Sequence, residues 1–157
     1  MAKLYTLCTI YQGNQILLGM KKRGFGVGRW NGFGGKVEDD ETLEEAAKRE
    51  ILEESGLTVG SLEKMGVLYF EFEDETPNKE VYIFRTSDFS GEPQESEEMR
   101  PKWFDNNNLP LNEMWPADAL WLPVLLEGKK FEGRYTYDQP STSNFASSII
   151  KQELILT

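Results

Sequence analysis

Gly35-Lys36-Val37-Glu38-Asp39-Asp40-Glu41-Thr42-Leu43-Glu44-Glu45-Ala46-Ala47-Lys48-Arg49-Glu50-Ile51-Leu52-Glu53-Glu54-Ser55-Gly56-Leu57 is the stretch on which the fold of this chain turns. Asp39, Asp40 and Glu41 suit the positive end of a helix and Gly56 suits its stop, so the spacing predicts a helix from near Thr42 to Gly56. Leu43, Ala47 and Ile51 give it an apolar stripe for packing. Glu50, Glu53 and Glu54 fall at i, i+3 and i+4 and therefore share one face. Three like charges that close repel one another unless a multivalent cation sits among them and reverses the sign of the interaction. The stretch reads as a helix that both anchors and presents carboxylates.

Composition narrows the chemistry. The 157 residues include no histidine and one cysteine, Cys8. A Ser-His-Asp triad, a Cys-His pair and every histidine-containing zinc site are thereby excluded, and Cys8 has no partner for an internal disulfide. The available metal ligands are oxygens, which favour magnesium, manganese or calcium. Formal charge is −10 with a sequence pI near 4.6. Such a surface repels a polynucleotide backbone, so no polynucleotide partner is expected. The chain shows neither a basic and apolar leader pattern nor an apolar run of bilayer length. A monomer without a membrane partner is expected, in the cytoplasm or, in a eukaryote, the nucleus or mitochondrion.

Outward from the central stretch, Leu4 to Tyr11 and Gln15 to Met20 read as two strands joined by a turn at Gly13-Asn14. Between Lys21 and Gly35 there are six glycines among cations and aromatic rings. That density argues against one regular element and for backbone brought close to something. Further strands are predicted at 66–72, 81–86, 102–104, 131–137 and 147–156, and a second helix at 117–126. Strands interspersed with two helices, without regular βαβ alternation, predict a single α+β domain with a mixed sheet over residues 1–157.

Gly35, Glu41, Arg49, Glu50, Ile51, Glu53, Glu54, Gly56 and Leu57 jointly match the pattern G-x5-E-x7-R-E-U-x-E-E-x-G-U, where U is a bulky apolar residue. In this the chain resembles the Nudix hydrolases. The resemblance implies the Nudix fold, an α/β/α sandwich about a mixed sheet, and an enzyme that uses Mg²⁺, with Mn²⁺ as a substitute. It implies metal binding by Glu50, Glu53 and Glu54, by the Gly34 carbonyl, and by a glutamate outside the signature, placed at Glu98. Arg49 joins the three glutamates in the catalytic set, as the group that orients a neighbouring carboxylate. Such an incomplete shell suits Mg²⁺, which keeps several waters and is completed by substrate phosphates.

Leu17 to Gly26, Gly28 to Val37, Glu98 to Pro101 and Met114 to Pro116 look like the branch of that family acting on oxidised purine nucleoside triphosphates. By that likeness Asn31 reads the base edge, Trp115 stacks on the purine and Asp118 bonds its Watson–Crick edge. Thr6, Phe25 and Phe70 line the pocket, and Phe33, Gly34, Gly35 and Lys36 border the substrate. Charge alone adds Lys21, Lys22 and Arg23, a basic cluster that in so acidic a chain suits the neutralising of a triphosphate. The implied reaction yields the nucleoside monophosphate and pyrophosphate, removing damaged precursors from the nucleotide pool. One departure stands out. The branch carries two adjacent aspartates after Trp-Pro, whereas this chain has Ala117-Asp118, which leaves the preferred oxidised base open. A methylated purine nucleotide or an RNA cap as substrate, or a nucleotide sensor without turnover, are the competing readings.

Overall fold

The computed structural model describes residues 3–139 and 148–157. Its elements in chain order are β1 (Lys3–Gln12), β2 (Gln15–Lys21), β3 (Trp30–Asn31), β4 (Phe33–Lys36), α1 (Leu43–Ser55), β5 (Thr58–Val59), β6 (Glu63–Phe72), β7 (Lys79–Thr86), β8 (Phe89–Ser90), β9 (Met99–Asp105), a 3₁₀ turn (Leu111–Glu113), α2 (Asp118–Leu126), β10 (Phe131–Tyr137) and β11 (Ile149–Leu156). A main sheet runs β11-β10-β6-β7-β1-β2-β3, with β4 on β1 and β9 on β2. The β1/β7 and β6/β10 pairs are parallel and the remaining pairs antiparallel, so the sheet is mixed.

Strand alternation divides the core between the two helices. Ile16 and Leu18 of β2 and Ile83 of β7 join the cluster that includes Trp121, Leu122 and Leu125 of α2. Leu17 and Phe84, one residue out of phase, join Ala47 and Ile51 of α1. Because successive strand side chains point to opposite faces, the sheet lies between the helices and the architecture is an α/β/α sandwich.

The predicted boundaries of α1 hold for identifiable reasons. Thr42 accepts from the Glu45 amide while the Glu45 side chain accepts from the Thr42 amide, a capping box that satisfies two end donors. Gly56 ends the helix at φ 78°, a backbone conformation that costs glycine no Cβ strain.

The glycine-rich segment is more regular than its composition suggests. It contributes β3 and β4, which are short and pair with β2 and β1. β1 divides its pairing: Tyr5 to Cys8 face β4, whereas Ile10 to Gln12 face β2. Glycine permits the close approach, since a Cβ at Gly34 would lie 1.8 Å from the Thr6 carbonyl oxygen. The strand predicted at 102–104 extends over Met99–Asp105, and α2 starts at Asp118 with Ala117 as its N-cap. Residue 147 of the last predicted strand lies outside the described residues, residue 148 precedes the strand, and β11 covers 149–156. No helix among the described residues is long and apolar enough to cross a membrane.

Candidate active site

A single cleft gathers most of the predicted site. Thr6, Lys21, Phe25, Asn31, Gly34, Gly35, Glu54, Phe70, Trp115 and Asp118 all line it. Two expectations fail. Phe33 is fully buried against Ala47 and Ile51, because β4 directs it to the α1 side of the sheet. Lys36 is exposed, and only its carbonyl is engaged, accepting from Arg49. Neither side chain borders the cleft.

At one end lie the carboxylates. Glu54 is 2% exposed and accepts a 3.0 Å hydrogen bond from the Gly34 amide. Burial, followed by the charge of Glu50, pushes its carboxyl up to about 8, against the pull of the Gly34 amide and Lys21. Burial likewise raises Glu50, whose carboxylate packs against Gly35 where a Cβ would lie 2.7 Å away. Glu53 is 59% exposed.

Arg49 ties this end together. Its Nε donates to Glu41 at 2.5 Å, and Nη1 donates to Glu50 at 2.8 Å and to Glu53 at 3.3 Å. The bond from Arg49, followed by that from the Glu38 amide, holds the Glu41 carboxyl down at about 2. Arg49 thus sits among Glu41, Glu50 and Glu53 of the same signature.

Glu98 reaches this end from the loop before β9. Ser96 in that loop donates to the Glu54 carbonyl, and the Gln94 amide donates to the Ser55 carbonyl. The loop is therefore moored to the C-terminal turn of α1, and the Glu98 charge acts on both Glu50 and Glu54. Lys21 stands 3.9 Å from Glu98. Lys22 and Arg23 pair with Glu95 and Glu97 on the same loop, so of this basic cluster only Lys21 borders the cleft.

Among the described residues no three acidic or cysteine side chains are gathered tightly enough to hold a metal ion as they stand. Glu50 and Glu53 turn toward Arg49, and Glu54 toward Gly34. The chemistry of the donor set nevertheless fits a hard divalent cation. The donors are oxygens, and burial, with a smaller push from neighbouring carboxylates, raises the proton affinity of Glu50 and Glu54, the condition that a bound cation relieves.

The other end is aromatic. Phe25 stacks on Trp115 at 5.2 Å and 19°, and meets the edge of Phe72 at 6.0 Å. Gly24, Gly26 and Gly28, all at positive φ, shape the turns that carry Phe25 over the cleft. Phe70 stacks on Tyr135 and Tyr137. A base that reaches Trp115 must share it with Phe25 or move that ring aside.

Asp118 begins α2 in full burial. Its Oδ1 accepts from Trp121 Nε1 at 3.0 Å, while Oδ2 has no partner among the described residues; burial pushes its carboxyl up to about 7. Thr6 Oγ1 is likewise buried without a partner. Asn31 Oδ1 accepts from the Gly32 amide, which leaves the amide protons to point elsewhere. Buried polar groups in native structures find partners, so Asp118 Oδ2 and Thr6 Oγ1 are available to a polar group entering the cleft.

Sequence reading missed Arg29, Lys79, Phe72 and Tyr137 on the cleft wall. Arg29 is 2% exposed, donates to the Met114 carbonyl and lies 5.0 Å from the Trp115 ring centroid. Its place between Gly28 and Trp30 was the available clue: a cation beside a bulky ring in an acidic chain.

Residues 1–125 match the NUDIX domain model, and the chain belongs to the Nudix hydrolase family. It is 54% identical over 136 residues to the oxidized purine nucleoside triphosphate hydrolase of Danio rerio, covering 87% of each chain. It is 51% identical over 141 residues to the enzyme of that name from Mus musculus, covering 90% of each. Among solved structures it is similar to a mutator MutT protein from Bacillus halodurans, with TM-score 0.83, 25% identity and 97% of both chains covered.

Proposed function

We propose that this protein hydrolyses oxidised purine nucleoside triphosphates to monophosphate and pyrophosphate with Mg²⁺, Mn²⁺ serving as a substitute, and so clears damaged precursors before a polymerase uses them. The observation that carries the reading is the division of one cleft into an aromatic end with orphaned buried oxygens and an end where Glu54 lines the wall under the charges of Glu50 and Glu98. That division fits a substrate with a flat polar base and a polyphosphate chain. The substrate named in both vertebrate relatives supports the choice of base.

Trp115, Phe25 and Phe70 offer ring faces to the purine, while Asp118, Asn31 and Thr6 offer hydrogen bonds to its edge. Stacking alone accepts any base, so discrimination falls to the polar groups. Near neutrality the Asp118 carboxyl holds its proton part of the time, which lets it donate as well as accept. At the other end Lys21 meets phosphate charge. Glu50, Glu53, Glu54 and Glu98, with the Gly34 backbone, would hold the divalent ion once Glu50 and Glu53 turn from Arg49. A bound divalent ion polarises phosphoryl oxygens and lowers the pKa of water. Arg49, anchored by Glu41, keeps Glu50 and Glu53 poised beside the site until the ion binds, and the aromatic wall keeps bulk water from the base.

Recombinant protein with Mg²⁺ and 8-oxo-dGTP is expected to release pyrophosphate with a kcat/KM above that for dGTP. Equal values for the two nucleotides would overturn the sanitising role. Undiminished cleavage in EDTA would overturn the metal requirement.

A further inference from the structure

The aromatic end contains a cation that the proposed reading leaves idle. Lys79 opens β7 opposite Phe70 of β6 and lines the cleft. Its Nζ lies 3.5 Å from the Phe25 ring centroid and 4.3 Å from that of Tyr5. Its remaining surroundings oppose the charge. Burial, then Lys21 and Lys3, push its pKa down to about 8, and no carboxylate among the described residues acts to raise it. Ring faces attract an ammonium, yet they do not replace the hydrogen bonds that its three N–H donors lose on leaving water. No hydrogen bond or ion pair ties this half-buried ammonium to a protein acceptor among the described residues, so water is left to answer it until a ligand displaces that water.

Its location says where an acceptor comes from. Lys21 pairs with Glu98 at the carboxylate end, whereas the Lys79 ammonium lies over the Phe25 ring at the base end. What separates an oxidised purine from its parent is an added carbonyl oxygen, a strong acceptor. We infer that Lys79 is a specificity-determining residue, its ammonium donating to the oxygen that oxidation adds to the purine ring. The inference rests on the substrate class proposed above. An undamaged purine leaves the ammonium desolvated and unanswered, which penalises the wrong substrate as well as rewarding the right one.

Calorimetric binding of 8-oxo-dGMP and dGMP without metal, beside kcat and KM for the two triphosphates with Mg²⁺, separates this contact from hydrolysis. Lys79→Met keeps an unbranched apolar stem and Lys79→Arg keeps the charge. The Met variant should lose selectivity for the oxidised monophosphate by about tenfold, the scale of one hydrogen bond to a charged group. The loss should fall on KM rather than kcat, and Lys79→Arg should retain most of the selectivity. A wild-type protein that prefers the oxidised nucleotide, with a Met variant equally selective, would overturn the role of Lys79 and leave the substrate class standing. Loss as complete in the Arg variant as in the Met variant would also overturn it. A wild-type protein that turns over dGTP as readily as 8-oxo-dGTP would remove both readings together.

Discussion

The two ends of the cleft are ordered by different forces. At the carboxylate end, one helix and one moored loop bring together Glu50, Glu53, Glu54 and Glu98, and the Arg49 guanidinium reaches Glu41, Glu50 and Glu53 at 2.5–3.3 Å. At the base end, rings from four separate parts of the chain lean on one another, with Phe25, Phe72, Trp115 and Tyr137 in mutual contact. Directional charge contacts fix the first, and shape and exclusion of water fix the second. Like charges meet at both, carboxylates at the first and Lys79 with Lys21 and Lys3 at the second. In the proposed reading, a cation answers the carboxylates and a flat ring enters between the aromatic side chains.

Removal of one buried carboxylate tests this division most severely. Glu54→Gln should lower kcat by roughly 10²- to 10³-fold, the scale of losing one group that stabilises transition-state charge, with nucleotide affinity much less affected. A loss confined to KM would assign Glu54 to the wrong end. Trp115→Ala should do the converse, costing about 1–3 kcal/mol of stacking, or roughly one to two decades in kcat/KM, mainly through KM. Steady-state kinetics on both variants checks the pair.

The buried carboxyl at the base end gives a pH signature. Asp118 is raised from 3.8 to about 7, so between those values the unfolded chain is ionised there while the folded chain keeps its proton. Unfolding then releases a proton, and stability falls as pH rises through that window, by up to about 1.4 kcal/mol per pH unit from this group. Above about pH 7 its contribution levels off. Thermal melts from pH 4 to 8 should slope less steeply for Asp118→Asn than for wild type; parallel curves would place the Asp118 carboxyl in water. The smallest effect belongs to Glu41→Gln, which removes a charged partner of Arg49 at the signature's edge. It should reduce kcat a few-fold with little change in melting temperature, and a large KM effect would contradict the division of labour.

How far each region was legible follows from the range of the contacts that build it. Helix α1 carries its own start, stop and face within a dozen residues, so Glu50, Glu53 and Glu54 are placed by helical spacing alone. The two adjacent short strands were not, because their regularity comes from pairing with β1 and β2 and not from their own glycine-rich composition. Phe33 was misassigned for the same reason: its neighbours Gly34 and Gly35 border the cleft, yet the strand sends its ring to α1. Lys79 and Tyr137 were invisible to local pattern, since only the parallel pairing of β1 with β7 and of β6 with β10 brings them to the wall. The resemblance supplied Trp115 and Asp118, which spacing alone could not have selected.

The cleft walls draw on positions as far apart as Thr6 and Tyr137, and the parallel strand pairs that join them cannot close by a short turn. Contacts of such long range form late and slowly as a chain folds. In the proposed reading, recognition is expected only once the strands that carry Thr6 and Tyr137 have docked. A nucleotide that binds this wall clamps opposite ends of the polypeptide at once, and should slow hydrogen exchange throughout the sheet, not merely beside the ligand.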